Sequence, residues 1–261
     1  MKFDKICVIG SGNLALKIIK LLYTNHKIPQ EKLFALSQNE PKLSLFSNFC
    51  KKQEINYQNT DNKHELENIF LQLDSDTLII SANNFFIFTK KILSKNNLTI
   101  INYHNSLLPK YKGSNAALWC IYNNEKKSGI TWHMVDENID SGEILVQREI
   151  TLSKNHTFLS LTQEQLEIGF LALESILQDL LNGNFNSAPA KGDGSFYYKS
   201  QLPNNGIFDA SWDMEHRSRF LRAFDCGKSG LLNPPRMIIN NKEIEITKYD
   251  ENFMPQGLIY E

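Results

Sequence analysis

The chain has 261 residues, and 41% of them are hydrophobic, which suits one large domain or a domain with a small appendage. Its 28 Lys and Arg residues nearly balance its 29 Asp and Glu residues, so no overall field favours nucleic acid or an anionic membrane. No apolar run approaches the roughly 18 residues of a membrane span, and the four cysteines have neither metal-binding nor redox spacing. We therefore expect a cytoplasmic protein with reduced thiols, no bound metal and no membrane contact.

Short apolar runs alternate with amphipathic segments through the first hundred residues. Runs suited to buried parallel strands lie at 6–9, 33–36, 55–57, 77–80 and 98–101. Helical spacing of apolar residues separates them at 14–22, 41–52, 64–73 and 88–93. In the second of these helical segments the residues expected to face inward are Leu43, Leu45, Phe46 and Phe49. The alternation predicts an α/β fold with a doubly wound, mostly parallel sheet of the Rossmann type.

The rest of the chain predicts a hairpin, a long helix and a small terminal unit. Helical spacing marks 116–122 and 159–181, and strand patterns mark 129–135 and 143–150. A stretch rich in Asn, Ser, Pro and Gly at 185–194 is typical of a linker. Beyond it we expect a turn at 203–206, a helix at 214–224 and a hairpin of 236–239 with 243–249. The predicted domains are therefore 1–185 and a small α+β C-terminal domain, 195–261.

The turn after the first strand carries the pattern Gly10-x-Gly12-x-x-Ala15. In form it matches the dinucleotide fingerprint, which also requires an acidic residue at the end of the second strand. Residues 37–39 at that point are Ser, Gln and Asn, and Glu40 follows one position late. We therefore favour a tight turn that lets the first helix pack closely on the sheet over a nicotinamide cofactor site.

Polar side chains that could act together follow the strand at 98–101. Asn102 and His104 are two residues apart at a strand end, so they point to the same side. In acyl transfer to an amine, an amide can donate to the oxyanion and an imidazole can carry the proton. Asp140, brought back by the hairpin, could hold that imidazole in one tautomer. His133 is either a core histidine or a support for the site.

The residues at 102–113, 133–136 and 140–145 read NYHNSLLPKYKG, HMVD and DSGEIL. Together they resemble the folate-dependent formyltransferase family, which includes glycinamide ribonucleotide formyltransferase, methionyl-tRNA formyltransferase and the formyltransferases of nucleotide-linked amino sugars. The resemblance runs over roughly residues 5 to 150. It implies a Rossmann-like formyltransferase core in 1–185, catalytic roles for Asn102, His104 and Asp140, and 10-formyltetrahydrofolate as the formyl donor.

The resemblance also implies a pterin pocket formed by two loops, one after the strand at 77–80 and one leading to Asp140. The matching residues are Phe85, Phe86, Ile87, Phe88, Asp136 and Ile139. The phenylalanines could instead belong to the core. One face of a helix cannot bury both Phe86 and Phe88, so we expect at least one of them to line something else.

For the second substrate, the residues expected to make contacts are Ser106, Lys110, Tyr111, Lys112 and Gly113. Among them, Lys110, Tyr111 and Lys112 are candidates to bind a diphosphate, and a solvated turn is the alternative. Lys112 stands where many members of the family have Arg, and segment 114–116 lacks a Pro that they often carry.

Residues around 197–223 resemble the C-terminal segment of the amino-sugar formyltransferases, which limits the choice of acceptor substrate. The net charge of −1 argues against tRNA, whose binding depends on cationic contacts. We expect a nucleotide-linked deoxyamino sugar of cell-surface glycan assembly, such as lipopolysaccharide O-antigen, and possible homodimers through the terminal hairpin. The alternatives are a different acceptor, either methionyl-tRNA or a peptide, amine or hydroxylamine of secondary metabolism, and a non-catalytic protein that senses NAD(P) or binds folate.

Overall fold

The computed structural model describes residues 1–38, 40–41 and 44–256. The strands and helices within these residues are, in chain order, β1 (Lys5–Gly10), α1 (Gly12–Lys20), β2 (Leu33–Ser37), α2 (Leu45–Lys52), β3 (Asn56–Asn59), α3 (Lys63–Leu71), β4 (Thr77–Ala82), α4 (Lys90–Leu93), β5 (Leu98–His104), β6 (Lys112–Gly113), α5 (Ala116–Tyr122), β7 (Lys127–Met134), β8 (Ile144–Thr151), α6 (Phe158–Asn182), β9 (Phe196–Tyr197), β10 (Ile207–Phe208), α7 (Met214–Phe224), β11 (Arg236–Ile239) and β12 (Lys242–Glu245). A π-helical turn, Leu21–Asn25, continues α1.

Contacts within the chain group it into two discontinuous units. Unit 1 consists of Met1–His104, Ile130–Arg148 and Leu166–Gly192. Unit 2 consists of Asn105–Gly129, Glu149–Gln165 and the chain from Asp193 onward. The division into domains at 1–185 and 195–261 stays a prediction, and residues 257–261 of the second domain lie outside the described residues.

The central sheet has seven strands in the order β3-β2-β1-β4-β5-β7-β8. The first five pair in parallel, and β7 runs antiparallel to β5. Hydrophobic residues alternate between its two faces, since Ile6 and Val8 join one core cluster while Cys7 and Ile9 join the other. The predicted α/β fold with a doubly wound, mostly parallel sheet is confirmed.

Helix α2 starts later than its hydrophobic pattern suggested. Ser44 caps it, because its hydroxyl accepts a hydrogen bond from the Ser47 N–H at 3.0 Å. Phe46 is buried and Phe49 packs against the same cluster. The inward position predicted for Leu45 is wrong, since this first helical residue is 74% exposed. Leu43 lies outside the described residues.

The glycine turn after β1 has a backbone explanation. A Cβ on Gly10 would overlap the carbonyl of Ala82 on the neighbouring strand β4, so only glycine lets the two strands approach there. Gly12 has a φ of +66°, and its N–H donates to the Glu40 carboxylate at 3.3 Å. An acidic side chain of the protein thus sits at the N-terminus of α1, where the helix dipole favours negative charge.

Unit 2 contains a two-stranded pair and a three-stranded sheet. β6 pairs in parallel with β9, and the Trp119 ring of α5 stacks on Tyr197 with centroids 4.2 Å apart. β11 pairs with β10 in parallel and with β12 antiparallel. Asn240 and Asn241, with φ values of 50° and 63°, form the two-residue turn that such a hairpin favours. The helix at 214–224 is confirmed, whereas β12 ends at Glu245 instead of residue 249.

The four cysteines are buried free thiols. Burial raises the pKa of Cys50 and of Cys120 to about 12, so both thiols stay protonated near neutral pH. Among the described residues, no group of three or more His, Cys, Asp or Glu side chains could hold a metal ion. Within the same residues, no helix combines the length and the apolar character needed to cross a membrane.

Helix α6 packs its Gly169 against the back of β5. The indole N–H of Trp132 donates to the Gly169 carbonyl at 2.8 Å, and the Tyr103 ring lies beside Trp132 with centroids 5.6 Å apart. A Cβ on Gly169 would overlap the Tyr103 ring. Because Tyr103 is buried between these neighbours, its ring cannot move without disturbing the strand that carries Asn102 and His104.

We expect Gly169→Ala to lower the free energy of unfolding, because overpacking costs about 1–3 kcal/mol. The higher helix propensity of Ala offsets up to about 1 kcal/mol of this loss. Urea denaturation measures the change. Glu174→Ala, at an exposed position of the same helix, is the control and should differ from wild type by at most about 0.5 kcal/mol. An increase in stability would mean that the Tyr103 ring yields freely.

Candidate active site

Three polar residues form a row across neighbouring strands of the sheet. Ser81 on β4 pairs in register with Asn102 on β5, and Asn102 pairs with His133 on β7. Residues paired in register point to the same face of a sheet, so the three side chains lie side by side. The row lies at the carboxyl ends of β4 and β5, where open α/β sheets bind their ligands.

The Asn102 amide is oriented by its partners. The Ser81 hydroxyl donates to Asn102 Oδ1 at 2.7 Å, so this atom is the acceptor oxygen. On the other side, Asn102 Nδ2 lies 3.2 Å from His133 Nε2 and 3.5 Å from Asp140 Oδ1. The second distance exceeds that of a good hydrogen bond, so the amide hydrogen on that side is only loosely held.

His133 has one neutral tautomer that fits its surroundings. Its Nδ1 lies 2.8 Å from the Met134 carbonyl oxygen, which can only accept a hydrogen bond. Nδ1 therefore carries the proton, and Nε2 offers a lone pair to Asn102 Nδ2. His133 is buried on β7 and contacts Asn102. Of the two roles considered for it, this contact favours support for the site.

His104 and Asp140 form a second pair beside the row. His104 Nδ1 lies 3.4 Å from Asp140 Oδ2, while Asp140 Oδ1 lies 3.5 Å from His133 Nε2. A carboxylate beside Nδ1 keeps the proton on that nitrogen, so Nε2 is the atom that exchanges protons, and it stabilises the imidazolium when that forms. The structure thus brings together the three residues predicted to be catalytic, Asn102, His104 and Asp140.

Asp140 reaches the site on a tight loop that returns to β7. Its backbone is left-handed, with φ at 51°, a conformation that Asp tolerates better than most residues. Two residues later, a Cβ on Gly142 would overlap the Met134 carbonyl oxygen. The Met134 N–H donates to the Glu143 carbonyl at 2.8 Å and fixes the return of the chain. Gly142 therefore allows the close approach on which the position of Asp140 depends.

The loop of the predicted pterin pocket is extended where a helix was expected to begin. α4 starts only at Lys90, so Phe86 and Phe88 share one side of an extended chain, and both are buried against Phe70. The expectation that one of them leaves the core is wrong, because it assumed helical geometry. The residues that alternate with them, Phe85 and Ile87, are 81% and 65% exposed.

The second loop of that pocket lies near the first. Ile139 is 44% exposed, and the Asp136 carboxylate accepts a hydrogen bond from the Asn138 N–H at 2.9 Å. The two loops are joined by an ion pair between Lys90 and Glu137, whose Nζ and Oε2 atoms are 2.7 Å apart. The hydrogen bond with Glu137 raises the pKa of the exposed Lys90 ammonium. Sequence reasoning missed this pair, since nothing in the pattern links the two loops.

The residues predicted to bind the second substrate lie in unit 2, where several have structural partners. The Ser106 hydroxyl donates to the Lys110 carbonyl at 2.6 Å. The Tyr111 hydroxyl donates to Glu125 at 2.8 Å, and burial raises its pKa. Lys110 Nζ lies 3.6 Å from the same carboxylate.

The two remaining residues of this set, Lys112 and Gly113, form β6. Gly113 has a φ of 85°, and a Cβ there would overlap the carbonyl of Tyr197 on β9. Gly113 is thus required by the pairing of the two strands. Substrate contacts by all five residues of the set stay a prediction.

Ser81 and Asn84 are members of the network that the sequence did not single out. Asn84 Nδ2 lies 3.4 Å from Ser81 Oγ, which makes Ser81 an acceptor from Asn84 and a donor to Asn102. The signal available was a single hydroxyl near the end of the apolar run at 77–82. This hydroxyl can be recognised as a partner for Asn102 only when the register of β4 against β5 is known.

Comparison with known proteins identifies the family to which the chain belongs. The family described as formyl transferase matches residues 6–175. GDP-perosamine N-formyltransferase of Brucella melitensis is 34% identical over 162 residues, which cover 62% of this chain and 61% of that protein. Methionyl-tRNA formyltransferase of Thermotoga maritima is 28% identical over 208 residues, which cover 78% of this chain and 64% of that protein. The matched stretches thus span less than two thirds of either relative.

A solved structure shares the fold. The N-formyltransferase from Helicobacter canadensis, in complex with folinic acid and dTDP-3-aminofucose, superposes with a TM-score of 0.74. The superposition covers 94% of this chain and 90% of that one, at 22% sequence identity. The likeness extends over nearly the whole chain, including the segments that form unit 2.

Replacement of Gly142 by Ala should displace the Asp140 loop, because the new methyl group would meet the backbone of β7. We expect the free energy of unfolding to fall by about 1–3 kcal/mol. In NMR spectra of the imidazoles, the signals of His104 and His133 should both move, since each ring lies beside Asp140. Glu174→Ala, at an exposed position of α6, is the control and should leave both imidazoles in place. Unchanged histidine signals in Gly142→Ala would contradict this account of the loop.

Proposed function

From the premise that the chain belongs to the formyl transferase family, we propose that it transfers a formyl group from 10-formyltetrahydrofolate to the primary amine of a nucleotide-linked deoxyamino sugar. The observation that carries this proposal is the convergence of Asn102, His104 and Asp140 at the carboxyl end of a central strand. An amide donor, an imidazole and a carboxylate are the groups that acyl transfer to an amine requires.

The exposed apolar residues of the two loops fit the co-substrate. Phe85, Ile87 and Ile139 present exposed apolar surface within unit 1, and Ile139 directly precedes Asp140 in the chain. A flat heterocycle needs apolar walls and a few polar groups at its edge. Phe86 and Phe88 would then shape the pocket from behind, as part of the core. The folate co-substrate supplies the formyl carbon and leaves as tetrahydrofolate.

In the proposed reaction, Asn102 stabilises the oxygen that becomes negative when the amine attacks the formyl carbon. The loosely held hydrogen of Asn102 Nδ2 is the one that can turn to this oxygen, since the other is held by His133 Nε2. One such donor contributes about 2.7–4 kcal/mol to the transition state.

His104 Nε2 takes the proton that leaves the attacking nitrogen and gives it to the folate nitrogen as the bond between that nitrogen and the formyl carbon breaks, so that tetrahydrofolate leaves. The imidazolium formed in this way is stabilised by Asp140 Oδ2, 3.4 Å from Nδ1. Because His104 is buried and the Asp140 side chain is only 9% exposed, their attraction is screened less than it would be in water.

The acceptor is proposed from two relatives and from charge. The relative from Brucella melitensis is named for a GDP-linked amino sugar, and the structure from Helicobacter canadensis contains a dTDP-linked one. The formal net charge of −1 favours a small acceptor over tRNA. The second candidate acceptor is methionyl-tRNA, which is supported by the similarity to methionyl-tRNA formyltransferase of Thermotoga maritima.

The cellular setting follows from the acceptor and belongs to the same proposal. Nucleotide-linked amino sugars feed cell-surface glycans, so we assign the protein to the cytoplasm and to lipopolysaccharide O-antigen assembly. Contacts of Ser106, Lys110, Tyr111, Lys112 and Gly113 with the nucleotide sugar, and a homodimer, are further parts of it.

Turnover with a panel of acceptors tests the proposal. The protein is mixed with 10-formyltetrahydrofolate and GDP- or dTDP-linked 3-amino and 4-amino deoxysugars, with methionyl-tRNA alongside, and tetrahydrofolate release is followed. We expect release with a nucleotide sugar. Release with tRNA alone would overturn the proposed acceptor, and lack of folate binding would overturn the proposed reaction.

With the acceptor that supports turnover, Asn102→Ala and His104→Asn should each lower kcat by about 10²–10³. This is the loss expected for one oxyanion-hole donor or for the proton carrier. The matched controls are Asn68→Ala and His64→Asn, the same changes at exposed positions of α3, and both should retain wild-type rates. Circular dichroism checks that all four variants fold. Near-normal turnover in both site variants would refute the assigned roles.

A further inference from the structure

We propose that Ser81 is a positioning residue that fixes which end of the Asn102 amide faces the reacting carbonyl. This inference rests on the proposed function. It concerns a residue of the strand next to β5, outside the sequence stretches that carry the resemblance to the family. Ser81 acts through Asn102 and has no direct part in the chemistry.

The first argument is the isolation of this hydroxyl. All six residues of β4 are buried, and those from Leu78 to Ala82 are apolar except Ser81. A buried hydroxyl is costly unless it forms hydrogen bonds. Ser81 meets that need by donating to Asn102 Oδ1 at 2.7 Å, the shortest distance in the network around this amide.

The second argument is the direction of the hydrogen bonds. Asn84 can offer only its Nδ2 hydrogens to Ser81 Oγ, so the Ser81 proton is left for Asn102 Oδ1. At the far end, the Met134 carbonyl forces the proton of His133 onto Nδ1 and leaves Nε2 as an acceptor. The hydrogen bonds on both sides of Asn102 therefore favour the same orientation of its amide.

The third argument is the cost of the opposite orientation. Turning the amide by half a turn would place Asn102 Oδ1 against the His133 Nε2 lone pair and the Asp140 Oδ1 oxygen. It would also point the amide hydrogens at Ser81 and away from Asp140. Without the Ser81 hydroxyl, the half-buried amide oxygen of Asn102 loses this donor in the present orientation, so the preference for that orientation weakens.

The test compares Ser81→Ala with Ser37→Ala. Ser37 is also a buried serine at the end of a strand, and its hydroxyl bonds to Tyr57 and Asn59 instead of to the site. We expect Ser81→Ala to lower kcat about 10-fold with the KM of both substrates within twofold of wild type. Ser37→Ala should keep kcat within twofold. Ser81→Thr, which retains the hydroxyl, should recover most of the lost rate.

A double-mutant cycle separates positioning from a merely structural effect. In the Asn102→Ala background, Ser81→Ala should lower kcat by less than twofold, because the group that Ser81 orients is gone. A full 10-fold loss in that background would overturn the proposal. An equal loss of kcat in Ser37→Ala would also overturn it.

A measurement that needs no turnover keeps this inference separate from the proposed function. The side-chain amide signals of Asn102, identified by their absence in Asn102→Ala, should shift in Ser81→Ala and stay in place in Ser37→Ala. If wild type turns over no acceptor but these signals shift, the contact stands and the proposed function fails. If they do not shift, Ser81 does not position Asn102, whatever the activity.

Discussion

The antiparallel pairing of β5 with β7 is the constraint on which the candidate site depends. It sets Asn102 opposite His133 and Tyr103 opposite Trp132. Tyr103 and Trp132 occupy the buried face, against α6, so a slip of one residue would drive His133 into the core and expose the indole. The apolar packing on one face of the sheet therefore fixes the polar row on the other.

The site buries more polarity than an ordinary strand end. An amide, two imidazoles and a carboxylate lie together, and they contact one another as well as the Ser81 hydroxyl and the Met134 carbonyl. Such groups are stable inside a protein only when they satisfy one another, which makes the site one unit instead of a sum of contacts. The contribution of any one member must then be read from pairs of substitutions, because each removal leaves its partners unsatisfied.

Periodicity and motif together predicted the frame of the fold and the residues that converge. The apolar runs at 6–9 and 77–80 became buried strands, and the spacing of Asn102 and His104 put both on one side. Other features depend on information that a pattern does not carry. Phe86 and Phe88 share a side because the chain is extended there, and Leu45 is exposed because Ser44 caps the helix just before it. Ser81 was missed because the register of parallel strands is set by the packing of the whole sheet.

The alternation of exposed and buried residues after β4 also explains how one loop supplies both an exposed apolar surface and part of the core. Phe86 and Phe88 pack in the core beside Phe70, while the side chains of Phe85 and Ile87 are exposed to solvent. Contiguous exposed apolar side chains often mark a binding site, and here the buried pair packs behind them. The same strand, β4, leads into this loop and carries Ser81, so one segment supplies both the apolar surface and the hydroxyl that orients Asn102. Under the proposed function, one continuous piece of backbone thereby carries both the folate pocket and the residue that orients Asn102, so an error in the strand would disturb both at once.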